Sequence, residues 1–433
     1  MSNDGRDGTH EGMGEALAIY GGTPTLTEEL PREWPGVYWF DEEEQQALLG
    51  VLQRSVGFNS DLEPVLREFF GCTWAGAINS GTGALFAAAS ALNFKPGMEV
   101  LIPGFCWIPD FACIVSRGAI PVLIEVGEDL SIDPVDLERK ITPRTRALIV
   151  AHMCGAAANL GPILEVARRH DLRVIEDCAQ ANGATYFSRH VGMFGDIGAF
   201  SLQQTKHCTC FGGGFMISNS EELGKRAELA RGPGLGGDLS RIMDVLAAPP
   251  DEEVMWGEGR LMDPLMHAMA AVQMRKLPKI IASMQQSQRR IKQSIGEIPG
   301  LRFRPVADPE SDCGSFLITY WPDRDRAYQA AAALKAEGVP EHIYHLENYG
   351  THLYYHMPML TKRVGWIPAS SWPWDAEENR TVQHSYERGA LPRSDAIFAK
   401  GVVMAVPSVL TDAQCDKIAA AYRKVAHHLL GSP

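Results

Sequence analysis

No stretch of the 433-residue sequence approaches the ~18 apolar residues that a membrane-spanning helix needs. Positive charge is also in short supply: 40 Lys+Arg stand against 53 Asp+Glu, a net −13. That balance argues against a nucleic acid partner, because phosphate-backbone surfaces need clustered basic residues. The 42 Gly and 27 Pro follow no period, which excludes a collagenous or low-complexity chain. Nine cysteines stand at Cys72, Cys106, Cys113, Cys154, Cys178, Cys208, Cys210, Cys313 and Cys415. An odd count in a long chain argues against a disulfide framework. Cys208-Thr209-Cys210, the one tight pair, has poor zinc-ligand spacing, so reduced, mostly buried thiols and no metal site are expected. Residues 1–20 lack the basic stretch and apolar core of a signal peptide. A cytoplasmic protein is the resulting expectation. What the chain does have is 45% apolar residues, enough for a sizeable core and against intrinsic disorder.

The patterning predicts an α/β protein. Residues 1–14, rich in Gly and Asp, read as a flexible tail. Helical spacing covers 41–57 and 61–70, and an Ala-rich helix follows Gly83 at 84–92. Apolar strands are expected at 100–102, 119–124, 147–152 and 172–176, with a helix at 163–170. Strands alternating with helices as far as residue 220 point to a mostly parallel sheet covered on both faces. Beyond it, 261–295 is a long helical stretch. Then come strands at 301–305 and 316–321, a helix at 327–337, a long connection at 339–380 rich in His, Tyr, Trp and Pro, and a closing helix at 411–430 with a Thr cap. A boundary near residue 285 divides a large domain, 15–285, from a smaller α/β domain, 286–433.

Chemistry concentrates in Val174-Ile175-Glu176-Asp177-Cys178-Ala179-Gln180. An apolar strand ends there in two carboxylates, at the sheet edge where open α/β sheets bind ligands. Buried carboxylates need a cationic or hydrogen-bonding partner. Further on, Lys206 sits among small and polar residues before the run Gly212-Gly213-Gly214. A lysine in such surroundings suits imine chemistry with an aldehyde, which needs the amine uncharged. Pyridoxal phosphate (PLP) enzymes pair an Asp on the pyridine nitrogen with a Lys on the aldehyde carbon, so Asp177 and Lys206 are candidates for those roles. Asn79-Ser80-Gly81-Thr82-Gly83 before the Ala-rich helix could cradle a phosphate or simply cap the helix. Trp107 could stack on a ligand or belong to the core.

These motifs resemble the DegT/DnrJ/EryC1/StrS sugar aminotransferases, PLP enzymes of fold type I. The resemblance spans nearly the whole chain. It runs from Phe58-Asn59-Ser60-Asp61 and Asn79–Thr82 through Val100–Pro103, Ile141–Thr145, His152–Gly155 and Ile175–Gln180. It continues in Val191–Asp196, Phe200-Ser201, Lys206, Gln273–Leu277 and Leu391–Asp395. His152-Met153-Cys154-Gly155 and Pro392–Ile397 look most like the branch containing 8-amino-3,8-dideoxy-octulosonate transaminases. The resemblance implies that Lys206 links to the cofactor and then moves the reacting proton, while Asp177 keeps the pyridine nitrogen protonated. Gln180 would meet the ring hydroxyl, Trp107 would stack on the ring, and Gly81, Thr82 and Ser201 would hold the phosphate. It further implies a homodimer. Glutamate or glutamine would be the amino donor, and a keto or aldehyde sugar or cyclitol the acceptor.

The sequence also departs from the family. The usual Glu after the lysine is Gly212, and the usual Asn-x-Arg that reaches the partner subunit's cofactor falls on Gly259 and Leu261, with Arg260 between them. The usual His after Ala-Gln-Ala is Asn182. His207 directly follows the lysine and reads as a supporting group. The His/Tyr stretch from His342 to His356 reads as pocket lining or surface rather than a metal site. The departures keep two other readings open: sugar dehydration or elimination on the same cofactor, and a non-catalytic binding protein that retains the fold.

Overall fold

The computed structural model describes residues 16–32, 34–53, 62–234, 254–339, 343–367, 370–381 and 383–431. The expected tail at 1–14, the Phe58–Asp61 motif and His342 lie outside the described residues. After α1 (Glu42–Gln53) and α2 (Leu62–Phe70), the chain lays down β1 (Trp74–Ile78), α3 (Gly81–Ala91), β2 (Glu99–Pro103), α4 (Ile108–Val115) and β3 (Ile120–Ile124). Next come α5 (Pro134–Arg139), β4 (Thr145–Ala151), α6 (Leu160–Arg169) and β5 (Arg173–Asp177). A small hairpin, β6 (Thr185–Tyr186) and β7 (Arg189–His190), leads to β8 (Ile197–Ser201), β9 (Gly214–Ser218) and α7 (Glu221–Arg231).

These strands form a seven-stranded sheet of order β1-β9-β8-β5-β4-β2-β3. β8, β5, β4, β2 and β3 run parallel, and β9 runs against both its neighbours. The expected mostly parallel sheet with flanking helices is therefore present. Its physical basis is visible in burial: β2, β3, β8 and β9 are buried along their whole length, as strands covered on both faces must be. Helix α3 is buried nearly all round, because its Ala and Gly side chains let it lie close against the sheet. β1 (Trp-Ala-Gly-Ala-Ile) escapes the strand pattern for the same reason: it is made of small residues with only one β-branched side chain.

A single helix, α8 (Pro264–Ile295), capped by Asp263, crosses residue 285 without a break. It leads to an antiparallel four-stranded sheet of order β10 (Arg302–Phe303), β11 (Phe316–Tyr320), β13 (Gly401–Ala405) and β12 (Ile343–His345). α9 (Arg324–Ala336) and α11 (Asp412–Leu430) cover it, and α10 (Pro392–Phe398) precedes β13. Leu17 and Leu26 from near the start of the chain belong to this smaller core, beside Leu317, Leu334 and Tyr422. Glu337 fixes them there by accepting from the N–H groups of Ala18 and Thr25 at 2.8 and 2.9 Å. The expected strand at 301–305 shrinks to two residues. The connection at 339–380 contains β12, whose three residues are too few to show a period.

All nine cysteines are buried and free. No described helix is long and apolar enough to cross a membrane.

At the start of β2, Glu99 is buried and accepts from Thr142, Arg144 (3.0 Å) and His384 (3.3 Å). Burial pushes its carboxyl up, but these donors outweigh burial and bring it down to about 2. A carboxyl lowered on folding stabilises the native state above its unfolded value of ~4.3, and the contribution fades as pH falls from there through about 2. Glu99→Gln should cost roughly 3 kcal/mol at pH 7, the scale of breaking a buried ion pair. Denaturant unfolding at pH 7 and at pH 3 checks this, since the gap between the two proteins must narrow at the lower pH.

Candidate active site

The parallel strands deliver their C-terminal ends to one edge of the large sheet. β1 ends just before Ser80, β2 leads to Trp107, β4 to His152, β5 ends at Asp177, and β8 ends at Ser201 and leads to Lys206. A cavity of about 590 Å³ opens at this edge. Gly81, Thr82, Trp107, Asp177, Gln180, Ser201 and Lys206, singled out by the sequence, all line it.

The two adjacent carboxylates of β5 point to opposite faces, as alternation along a strand requires. Glu176 turns inward and accepts from the N–H groups of Gly192 (2.8 Å), Phe194 (2.7 Å) and Gly195 (2.6 Å), and from His152 Nε2 at 3.0 Å. Burial would raise its pKa, yet His152 and these backbone donors lower it on balance. His152 Nδ1 in turn accepts from Ala158 N–H at 3.0 Å, which fixes the tautomer with the proton on Nε2. His152, Glu176 and Cys178 lie close enough to suggest a metal site, but their polar atoms already meet one another and the surrounding backbone.

Asp177 faces the cavity, with Oδ1 accepting from Ala179 N–H at 2.9 Å. Burial raises its pKa; the Ala179 N–H, the Lys206 charge and a carboxyl neighbour, Asp110, oppose that. Lys206 closes a tight turn, its N–H donating to Gln203 O at 2.9 Å, and its own carbonyl accepts from Gly36 N–H. Burial holds the Lys206 ammonium below the usual lysine range, and Asp177 offsets part of that effect.

At the other end of the cavity, Ser80 caps α3 by accepting from Gly83 N–H at 3.0 Å. Gly81 packs so closely on β8 that a Cβ there would lie 2.7 Å from Ser201 Cβ. The first turn of a helix, with glycine and hydroxyl groups around it, is a set of donors suited to a phosphate. An anion at one end, an amine between, donors at the other end and Trp107 alongside suit a flat cationic ring carrying an aldehyde and a phosphate, the chemistry of PLP.

The remaining sequence candidates fall around this cavity. His207 is buried, donates from Nδ1 to Asn182 O at 2.9 Å and is lowered by burial to about 4. Asn182 Nδ2 reaches Cys208 Sγ at 3.3 Å. Arg260 pairs with Glu258 and lies over the Phe86 ring at 5.0 Å. Gly259 and Leu261 face open space.

His352 is the member of the His/Tyr stretch that enters the site. Gln180 Nε2 lies 2.9 Å from its Nε2, its Nδ1 donates to Tyr349 O at 3.0 Å, and its ring is 4.6 Å from that of Trp107. Burial, assisted by the Lys206 charge, lowers it to about 4. Backbone bonds from Cys106 N–H to His352 O (3.0 Å) and from Tyr354 N–H to Gly104 O (3.1 Å) sew this segment onto the loop after β2. Sequence reasoning did not distinguish His352 from its neighbours, since spacing in a loop carries no direction. Asp110 also escaped notice; an acidic residue inside Trp-Ile-Pro-Asp-Phe-Ala-Cys-Ile-Val was the available signal.

The model of the DegT/DnrJ/EryC1/StrS aminotransferase family matches residues 40–373. An L-glutamine:2-deoxy-scyllo-inosose aminotransferase of Micromonospora echinospora is 35% identical over 227 residues, covering 50% of this chain and 54% of that protein. A GDP-perosamine synthase of Caulobacter vibrioides is 39% identical over 183 residues, covering 42% and 49%. The chain thus spans about half the length of these curated relatives. The crystal structure of 3-amino-5-hydroxybenzoic acid synthase superposes with a TM-score of 0.74 at 20% identity, covering 94% of this chain and all of that one.

The Glu176 cluster generates a test. Glu176→Ala leaves His152 Nε2 and three backbone N–H groups without their acceptor, and should destabilise the protein by about 3–5 kcal/mol. Denaturant unfolding measures the loss, and faster hydrogen exchange at Gly192, Phe194 and Gly195 would localise it.

Proposed function

The chain belongs to the DegT/DnrJ/EryC1/StrS aminotransferase family, and from that premise we propose that it is a PLP-dependent aminotransferase. It takes an amino group from glutamine or glutamate and delivers it to a keto or aldehyde group of a cyclitol or sugar. The observation that carries this reading is the convergence of Asp177, Lys206 and the α3 N-terminus on one cavity. The donor and acceptor classes rest on the relatives' names, which describe glutamine-dependent cyclitol aminotransferases and a nucleotide-sugar enzyme.

When bound, the cofactor supplies an aldehyde that exchanges amino groups and a protonated ring that accepts electrons. Asp177 holds the proton on the ring nitrogen through its charge. Lys206 would supply an amine that burial helps to keep uncharged, and its Nζ would take up and return the proton of the reacting substrate carbon. The N–H groups at the start of α3, with Gly81, Thr82 and Ser201, hold the phosphate. Gln180, oriented by Cys154 N–H at 3.1 Å, would hold the ring hydroxyl, and Trp107 would pack on the ring. Together with His352, Trp107 forms a wall that keeps water off the reacting carbon. Dehydration without nitrogen transfer finds less support, because Lys206 retains the position from which an amine exchanges with the aldehyde. Phe211 and Leu261 are exposed, which supports a homodimer that covers them.

Glutamine or glutamate added to the protein with PLP should shift the cofactor's visible absorbance, and mass spectrometry of an accepting keto cyclitol should show one nitrogen gained. Lys206→Ala should abolish the shift and lower turnover by at least ~10²–10⁴-fold, the scale of a lost acid–base group. A product that has lost water and gained no nitrogen would point to elimination instead.

A further inference from the structure

Asp110 lies at the third position of α4, completely buried between the fully buried thiols of Cys106 and Cys113. Its Oδ2 accepts from Trp107 N–H at 2.9 Å and so holds the start of the helix that carries the ring-facing tryptophan. Its Oδ1 is buried with no ordinary donor. Its side chain meets two polar groups, the Cys106 thiol and the carboxyl of Asp177. Two carboxylate oxygens are both acceptors, so contact between them away from water is stable only when one carries a proton.

The surroundings decide which one. Asp177 faces Lys206 and the Ala179 N–H, which favour its charged form and offset part of the rise that burial imposes. Asp110 faces thiols and the Asp177 charge; the nearby Arg117 is paired with Glu258 rather than with Asp110. Burial first, and then that charge, push the Asp110 carboxyl well above the usual range.

We propose that Asp110 is a positioning residue for the cofactor ring: its carboxyl stays protonated at neutral pH and donates to Asp177, so that the ring nitrogen meets a proton-sharing carboxyl pair rather than a lone carboxylate. The hydrogen bond fixes the Asp177 rotamer and occupies the oxygen turned away from the cavity. The other oxygen, aligned by Ala179, is left for the ring nitrogen. The same residue holds Trp107, so one buried acid sets both the edge and the face of the ring site. This rests on the cofactor reading above, but the proton on Asp110 belongs to the protein alone.

Infrared difference spectra of the full chain, recorded without PLP, test it. Wild type minus Asp110→Asn at neutral pH should show the carbonyl band of a protonated carboxylic acid, shifted by deuterium exchange. Asp177→Asn should also remove the band, because its amide donates to Asp110 and lets that carboxyl ionise. In fluorescence titrations, Asp110→Ala should bind PLP at least ~10-fold more weakly than wild type, equivalent to losing one hydrogen bond to a charged group. Asp110→Asn, which can still donate to Asp177 and accept from Trp107, should recover most of that loss. Absence of the acid band in wild type overturns the proposal, as does Asp110→Ala binding PLP as tightly as wild type. If Asp110→Ala fails to fold, the band and its two Asn variants still decide. A protein that shows the band but binds no PLP would instead defeat the cofactor reading.

Discussion

A carboxylate with no access to water can persist only where donors surround it, and the position of Glu176 rests on that constraint. Three backbone N–H groups and His152 converge on it. They come from the segment before β8 and from the end of β4, so one charge ties three neighbouring pieces of chain together at the cavity edge of the sheet. Because side chains alternate along a strand, fixing Glu176 inward fixes Asp177 outward. The register that satisfies one acid therefore aims the other into the cavity, and a slip of one residue would reverse both.

The same economy governs the phosphate end. A net charge of −13 describes the whole surface and says little about one pocket, because a helix start acts over a few ångströms while screened surface charge does not reach inside. What the site needs there is close approach rather than positive side chains. Ser80, Gly81 and the Ala-rich α3 provide it: small residues bring the first turn against β8, where Ser201 leaves no room for a Cβ at Gly81. The buried lysine follows the same logic. Its charge is weakened by burial, and the nearby Asp177 carboxylate keeps it from being weakened further.

Much of this was legible in the sequence where a residue's chemistry is tied to strand or helix ends. Val-Ile-Glu-Asp announced a buried strand ending at a sheet edge, and Lys206 before three glycines announced an amine in a crowded turn. β2, β3, β4 and β5 were legible because burial on both faces leaves unbroken apolar runs. β1 and β12 were not: one is built of small residues, and the other has three residues on the edge of its sheet. β9 reverses direction, which no pattern of side chains records. His352 and Asp110 were missed for different reasons. The first is brought in by backbone hydrogen bonds from a loop, and the second sits in what reads as an ordinary apolar helix, where one acid among buried side chains was the only sign.

His352 also shows how the segment after β12 of the small sheet takes part in the site. Gln180 gives its oxygen to Cys154 N–H, so its amide nitrogen must donate to His352. His352 donates from Nδ1 to Tyr349 O, which leaves Nε2 free to accept. Only the neutral ring with its proton on Nδ1 satisfies both bonds, and a ring lowered to about 4 keeps that form throughout neutral pH. A protonated ring would set N–H against N–H and turn Gln180 away from its place in the cavity wall. The segment that carries His352 follows β12 of the small sheet, while the loop it is sewn to follows β2 of the large one. Any displacement of the small sheet relative to the large one would therefore strain the bonds at Cys106 and Gly104 before it reached the ring. The geometry of the Trp107–His352–Gln180 wall is thus coupled to the seating of one sheet on the other.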